Sequence, residues 1–229
     1  MECQLVAKVA QPTGTVTLVF TDIEGSTRLL SELGEDAYRQ VLAEHRRCVR
    51  AAFGRYGGYE MDVVGDACFF AFTSAADAVE AAGEAIVCSG AGPVRIRIGV
   101  HTGEPGLDPP SYIGLDVHKA ARIVAAGHGG QVLLSDATRG LVAGRFSLPL
   151  LGTYRLKDIA EPERLYQLGS RGFAPLKAPR ASLPGRAAPF RCGRVAQRRP
   201  ARSSCASAGT AGTSGRWISP SAAGHRAPS

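Results

Sequence analysis

The chain has 229 residues, 45% of them hydrophobic and 21% charged, which suits one globular domain with a sizeable core plus an appendage. No apolar run approaches the ~20 residues of a membrane span, and Met1 to Gln11 lacks the charged start and long apolar core of a secretory signal, so a cytoplasmic location is expected. The net charge of +7 is lopsided: Arg171 to Ser229 holds ten arginines, one lysine and no acid, which leaves Met1 to Ser170 at −4 and excludes a basic, nucleic-acid-binding surface on the folded part.

Residues 1–14 read as a leader. The β-branched, apolar run from Val16 to Phe20 then predicts a buried strand that continues to Ile23 and carries Asp22 at its end. Gly25 permits a tight turn, and Ser26 or Thr27 can accept hydrogen bonds from the first amides of a helix through Arg28, Leu29 and Leu30. A helix N-terminus beside a strand-end carboxylate suits a polyphosphate carrying Mg²⁺. Gly34 punctuates. A second helix follows, with Tyr38, Val41, Leu42, Val49, Ala52, Phe53 and Tyr56 on one face and His45 at its border. Arg39, Arg46, Arg47 and Arg50 form its solvated side, and Gly57-Gly58 ends it.

Two apolar runs between Tyr59 and Phe72 are broken by Gly65-Asp66, a strong hairpin signal. Asp66 is thereby placed at a strand tip, as Asp22 is. Two carboxylates on adjacent strand ends can hold a pair of divalent ions, the arrangement that clamps attacking and leaving oxygens in phosphoryl chemistry. Ser74 to Asp77 opens an alanine-rich helix through Ile86. Val94, Ile96, Ile98 and Val100 alternate with Arg95, Arg97 and Gly99 as a half-exposed strand. His101 and Glu104 read as a polar strand end without a role, and Gly106 to Ser111 as a loop.

A helix from about Gly114 carries His118 and Arg122 at i and i+4, on one face. Val132 to Leu134 reads as a buried strand, and strand-like segments over Phe146–Lys157 and Arg164–Leu168 bracket a turn at Glu161-Pro162. This order argues for an α+β fold, a ferredoxin-like βαββαβ core with extra C-terminal strands. The six cysteines, at 3, 48, 68, 88, 192 and 205, form no close pair and read as reduced and mostly buried.

Four segments together carry a family resemblance: Phe20-Thr21-Asp22-Ile23-Glu24-Gly25-Ser26-Thr27, Val64-Gly65-Asp66-Ala67, Gly99-Val100-His101-Thr102-Gly103-Glu104, and Tyr112 through Ile123. In order and spacing the stretch from about Val16 to Leu168 resembles the class III adenylate/guanylate cyclase catalytic domain. The resemblance implies attack of a nucleoside triphosphate's ribose 3′-hydroxyl on its own α-phosphate, giving the 3′,5′-cyclic nucleotide and pyrophosphate. Asp22 and Asp66 match the family's metal carboxylates, expected to hold two Mg²⁺ or Mn²⁺ ions with the Ile23 carbonyl as a further ligand. The Gly25-Ser26-Thr27 turn is expected at the triphosphate. Arg122 matches the arginine that stabilises the transition state, and Lys157 lies near where the family places a triphosphate lysine.

Two positions depart from the family pattern. His118 stands where the family has an asparagine, and Asp62 stands where it has a purine-reading lysine, with Ser111 at the second base-reading position. The family builds its sites across a head-to-tail homodimer, with the carboxylates from one subunit and the Arg122 helix from the other. ATP is the favoured substrate and GTP the alternative. The competing reading is a cyclase-homology module that binds nucleotide and regulates a transcription-regulator partner with little turnover. From residue 171 the chain reads as a disordered Arg/Ala/Pro/Ser-rich tail. It opens like the linker that joins such domains to ATPase and helix-turn-helix regulators in actinobacteria and continues like a truncated or frame-shifted product.

Overall fold

The computed structural model describes residues 10–90 and 92–178. Most of the expected leader and tail, up to residue 9 and from residue 179 on, lies outside the described residues. In chain order the elements are β1 (Val16–Ile23), α1 (Ser26–Arg55), β2 (Tyr59–Val64), β3 (Ala67–Phe72), α2 (Ala75–Ser89), β4 (Ile96–Gly103), β5 (Gly106–Asp108), β6 (Ser111–Ile113), α3 (Leu115–Ala126), β7 (Val132–Ser135), α4 (Asp136–Leu141), β8 (Leu150–Tyr154) and β9 (Glu163–Gln167). β1 is hydrogen-bonded along both edges, antiparallel to β3 and to β4, and β2 pairs antiparallel with β3 through the Gly65-Asp66 turn. The order β2-β3-β1-β4 with antiparallel neighbours is the expected ferredoxin-like core. β7 extends it parallel to β4, and β9 and β8 complete a seven-stranded sheet.

Alternation along the strands sends side chains to two faces, and each face has its own helical cover. Val19, Ile23, Phe70, Phe72, Ile96, Ile98 and Val100 meet Val49, Ala52 and Phe53 of α1 and the alanines of α2. Phe53 stands edge-on to Phe70, with ring centroids 4.7 Å apart and planes at 87°. α3 covers the opposite face. Its Ala120 packs with Val16 and Leu18, and its Ile123 with Leu133, Leu156 and Leu165. The helix sits unusually close to β4, because a Cβ built on Gly99 would lie 2.5 Å from the Val124 nitrogen and 3.0 Å from the Ala120 carbonyl oxygen. Glycine is required there for close approach.

Several local expectations are corrected. The helical backbone of α1 breaks at Gly34 (φ 75°), as two successive helices there require, but its N-cap is Gly25 in the left-handed region (φ 71°), with no side-chain cap from Ser26 or Thr27. β4 is buried on both faces except for partial exposure of Arg97 and Gly103, because α3 covers the side on which glycines and arginine had suggested solvent. The Gly106–Ser111 loop is a two-stranded ribbon, β5 with β6, and α4 follows β7 directly with Ser135 as its cap. Cys48 of α1 and Cys88 of α2 form a disulfide, against the expectation that all cysteines are reduced, while Cys68 is free and buried. Residues 171–178, placed in the tail by composition, lie on the domain: Lys177 donates its backbone N–H to Ala126, and Leu176 packs beside the Ile123 cluster.

Gly99→Ala is expected to lower folding stability by about 1–3 kcal/mol, the usual range for overpacking a closed contact. Urea unfolding of the two proteins measures it; equal midpoints would mean that α3 can withdraw from the sheet without cost.

Candidate active site

β1 ends at the rim of the sheet, where the hairpin between β2 and β3 also turns. The Ile23 backbone N–H donates to Asp66 Oδ2 at 3.3 Å, which sets the Asp66 carboxylate beside the residue that follows Asp22. Both carboxylates bear on Tyr38 of α1, whose hydroxyl pKa is raised first by burial and then by Asp66, with a smaller contribution from Asp22. Arg46 donates to the Gly65 carbonyl and holds the hairpin turn against α1. The donors are carboxylate oxygens, hard ligands that suit Mg²⁺ or Mn²⁺. Among the described residues no group of three or more His, Cys, Asp or Glu side chains gathers as a metal cage. A pair of carboxylates fits Mg²⁺, which is commonly held by one or two of them together with substrate phosphates. Gly25 opens α1 just beyond, and its carbonyl accepts from Leu29 at 2.9 Å. No side chain caps the helix, so the first-turn amides of Ser26 and Thr27 have no side-chain cap competing for an anion.

Arg97 was not singled out from sequence, yet it stands directly across from Asp22 in the β1–β4 register. Its Nε donates to Asp22 Oδ2 at 2.8 Å, Nη2 donates to the same oxygen, and Nη1 donates to the Ala125 carbonyl at 3.0 Å near the end of α3. Glu24, in the same motif, staples distant segments. Its carboxylate accepts from the Gly129 N–H at 2.9 Å and from the Lys177 ammonium. The Lys177 hydrogen bond is the largest cause that lowers the Glu24 pKa from 4.5 to about 2, with the Gly129 N–H assisting against a partial cost of burial.

α3 carries the second group. Arg122 Nε donates to the Lys157 carbonyl at 3.1 Å, and Nη2 donates to Asp158 at 3.2 Å, in the turn between β8 and β9. Arg122, His118, Leu115, Lys157, Asp158 and Ile159 line a cavity of about 210 Å³. His101, read as a bare strand end, is buried and bonds Ser135 at 2.8 Å through Nδ1 and Asp116 at 3.0 Å through Nε2. Asp116 also accepts from the Glu104 N–H at 3.0 Å, so this network pins the first turn of α3 to β4 and β7. Burial lowers the His101 pKa. A neutral imidazole in this place links the two partners without a buried charge.

The base-reading candidates lie apart in sequence but are tied by Gln11. Its side-chain N–H₂ donates to the Pro110 carbonyl at 3.1 Å and contacts the Met61 sulfur at 3.9 Å, so the neighbours of Ser111 and Asp62 share one anchor. A bulge between Glu60 and Asp62 interrupts the β2–β3 ladder there and re-aims Asp62. Asp62 lines a shallow hollow of about 120 Å³ with Phe20, Val64, Ala67, Cys68 and Phe69. That hollow shares no lining residue with the Arg122 cavity.

The antiparallel core, the two strand-end carboxylates and the arginine on the covering helix define a nucleotidyl cyclase catalytic domain. The chain belongs to the adenylate and guanylate cyclase catalytic domain family, whose model matches residues 8–170. It is 37% identical over 181 residues to an uncharacterized protein of Mycobacterium tuberculosis, covering 75% of this chain and 63% of that protein. The chain thus spans less than two thirds of that relative's length. A solved structure of adenylate cyclases from Trypanosoma brucei in their monomeric state superposes with TM-score 0.66 at 30% identity, over 73% of this chain and 96% of that one. The adenylyl cyclase CyaB from P. aeruginosa gives TM-score 0.61 at 25% identity, over 69% of this chain and 95% of that one. Among the described residues no helix is long and apolar enough to cross a membrane.

The Glu24 staple has a pH signature. Its folded-state pKa is depressed, so its contribution to stability is present above about 4.5 and is lost as pH falls through about 2. Glu24→Gln should flatten the stability profile across that window and leave its shape above pH 5 little changed, as read by urea unfolding at a series of pH values. A mutant profile parallel to wild type would mean that Glu24 makes no such contacts.

Proposed function

We propose that the chain is a nucleotidyl cyclase that converts a nucleoside triphosphate to its 3′,5′-cyclic nucleotide and pyrophosphate. The observation that carries this reading is the Asp66 carboxylate on the Ile23 amide beside Asp22, which brings the two family carboxylates to one strand end. Two divalent ions held by Asp22, Asp66 and the Ile23 carbonyl would acidify the ribose 3′-hydroxyl and neutralise the triphosphate. Asp22 and Asp66 supply the negative charge that holds the site, and Arg97 offsets part of it. The uncapped first turn of α1 at Gly25, Ser26 and Thr27 offers amide donors to phosphate oxygens. Arg122 is a forked, always charged donor suited to the charge that builds on the α-phosphate, and Lys157 offers a second cation beside it. His118 takes the place of an amide donor and can present one N–H to the ribose.

Asp62 and the Arg122 group line separate hollows, and this supports a site completed by a second copy in a head-to-tail dimer. Exposed apolar side chains border both halves, Val64 at 68% by Asp62 and Leu115 at 59% by Arg122, surfaces that an isologous contact would bury. Asp22→Ala and Arg122→Ala are each expected to abolish cyclic nucleotide formation with Mn²⁺. An equimolar mixture should recover about a quarter of wild-type activity, since half of the dimers are mixed and each has one of its two sites intact. Demonstrated subunit exchange without recovery would overturn the shared site.

A second reading, a nucleotide-binding regulatory module with little turnover, draws on the ion pairs that already engage Asp22 and Arg122. Mn²⁺-dependent nucleotide binding without product would favour it. For the base, ATP is preferred, in keeping with the two structural relatives that are adenylate cyclases. Asp62 accepts hydrogen bonds and Ser111 can donate or accept, a pair compatible with either purine. The ratio of kcat/KM for ATP over GTP is therefore expected to stay within about a thousandfold, roughly 4 kcal/mol of transition-state discrimination. A larger ratio would mean that other residues read the base.

A further inference from the structure

A hollow of about 510 Å³ lies between α1 and α2, outside the site above, and both Cys48 and Cys88 line it together with His45, Ser89, Gln40 and Pro93. The two cysteines are 40 residues apart in sequence, with Cα atoms 6.2 Å apart, within the span a disulfide bridges. Their surroundings differ. Cys88 is exposed, whereas Cys48 is buried, and the Ser89 hydroxyl lies 3.7 Å from the Cys48 sulfur. His45 precedes Cys48 by three residues, so the two side chains are neighbours on the surface of α1. The His45 side chain is 3% exposed and lies against Asp66 of the hairpin turn.

We infer that this hollow is a thiol–disulfide exchange site, at which Cys88 meets a low-molecular-weight thiol disulfide and Cys48 resolves the product into the Cys48–Cys88 bridge. The asymmetry in exposure fixes the order of events. A glutathione-type disulfide is attacked by the Cys88 thiolate: a bond forms between Cys88 Sγ and one glutathione sulfur, and the other glutathione leaves as thiolate. The Cys48 thiolate then attacks Cys88 Sγ and expels the second glutathione thiolate. The two cysteine thiols are oxidised, one disulfide is reduced to two thiols, and the two protons lost by the cysteines end on the two leaving thiolates. The Cys48 thiol loses its proton before this second attack. The Ser89 hydroxyl can donate to the thiolate that results. The volume agrees with the assignment, since a hollow of this size lies within the range of small-molecule sites.

The test uses the full chain, fully reduced and then exposed to oxidised glutathione, with acid quenching and peptide mapping by mass spectrometry. The wild type should pass through glutathione on Cys88 and finish with the Cys48–Cys88 bridge. Cys48→Ser should retain glutathione on Cys88, and Cys88→Ser should leave Cys48 unmodified. Wild-type bridge formation needs no variant and decides the inference even if a mutant misfolds. Glutathione spread at equal rates over Cys88, Cys3, Cys192 and Cys205, or a mixed disulfide on Cys88 that never resolves, would overturn it.

Discussion

The candidate site depends on one constraint, the pairing of β1 along both edges. Its eight residues face β4 without a break, and five of them face β3. Because side chains alternate along a strand, this double register decides which residues meet which face. Thr21 and Ile23 are buried on the side of α1 and α2, while Asp22 turns to the side of α3 and meets Arg97. A slip of one residue would bury the carboxylate among the helices and expose isoleucine at the rim. The apolar faces on both sides forbid that slip, so the residues that look purely structural also aim the Asp22 carboxylate.

The position of Arg122 follows from a second constraint, the small residues on β4. Gly99 admits the α3 backbone, and a Cβ on Gly103 would lie 2.3 Å from the Asp116 carboxyl carbon, so both glycines are spaces that the helix fills. His101, between them, then closes the contact by bonding Asp116 and Ser135. With its first turn pinned in this way, α3 carries His118 and Arg122 toward the turn between β8 and β9. Asp22 is linked to the far end of the same helix through Arg97 and Ala125. A rigid helix held at both ends has little freedom to swing Arg122 onto its own carboxylates, which is a physical reason to look to a second copy.

Much of this was legible from the chain alone, and the pattern of success has a cause. Hydrophobic alternation, Gly65-Asp66 and the helical spacing of His118 with Arg122 are local signals, and they placed the hairpin, α3, Asp22 and Asp66. What escaped notice is non-local. Arg97 meets Asp22 across 75 residues, His101 meets Ser135 across 34, and Lys177 meets Glu24 across 153. Glycines and arginine on alternate positions of β4 read as a solvent face because polarity and smallness look alike in a periodicity count. The structure shows that smallness there means close approach. Cys48 and Cys88 likewise have no sequence proximity, and only the packing of α1 on α2 brings them together.

The two ion pairs at the site are not equal in strength, and the difference bears on how the site is engaged. Arg122 and Asp158 are 36% and 68% exposed, in the class of surface pairs that contribute about 0–1 kcal/mol, so a triphosphate can draw Arg122 away at small cost. Arg97 and Asp22 are only 18% and 27% exposed, and two guanidinium N–H groups converge on one carboxylate oxygen. That pair is screened less, and removing one partner would leave the other charge partly desolvated. Asp22 is therefore held by Arg97 more firmly than Asp158 holds Arg122. Asp66 in turn bears on His45, the residue that lines the cysteine hollow on the far side of α1. One buried imidazole thus stands between the carboxylate that a cation would need and the thiols that an oxidant would join.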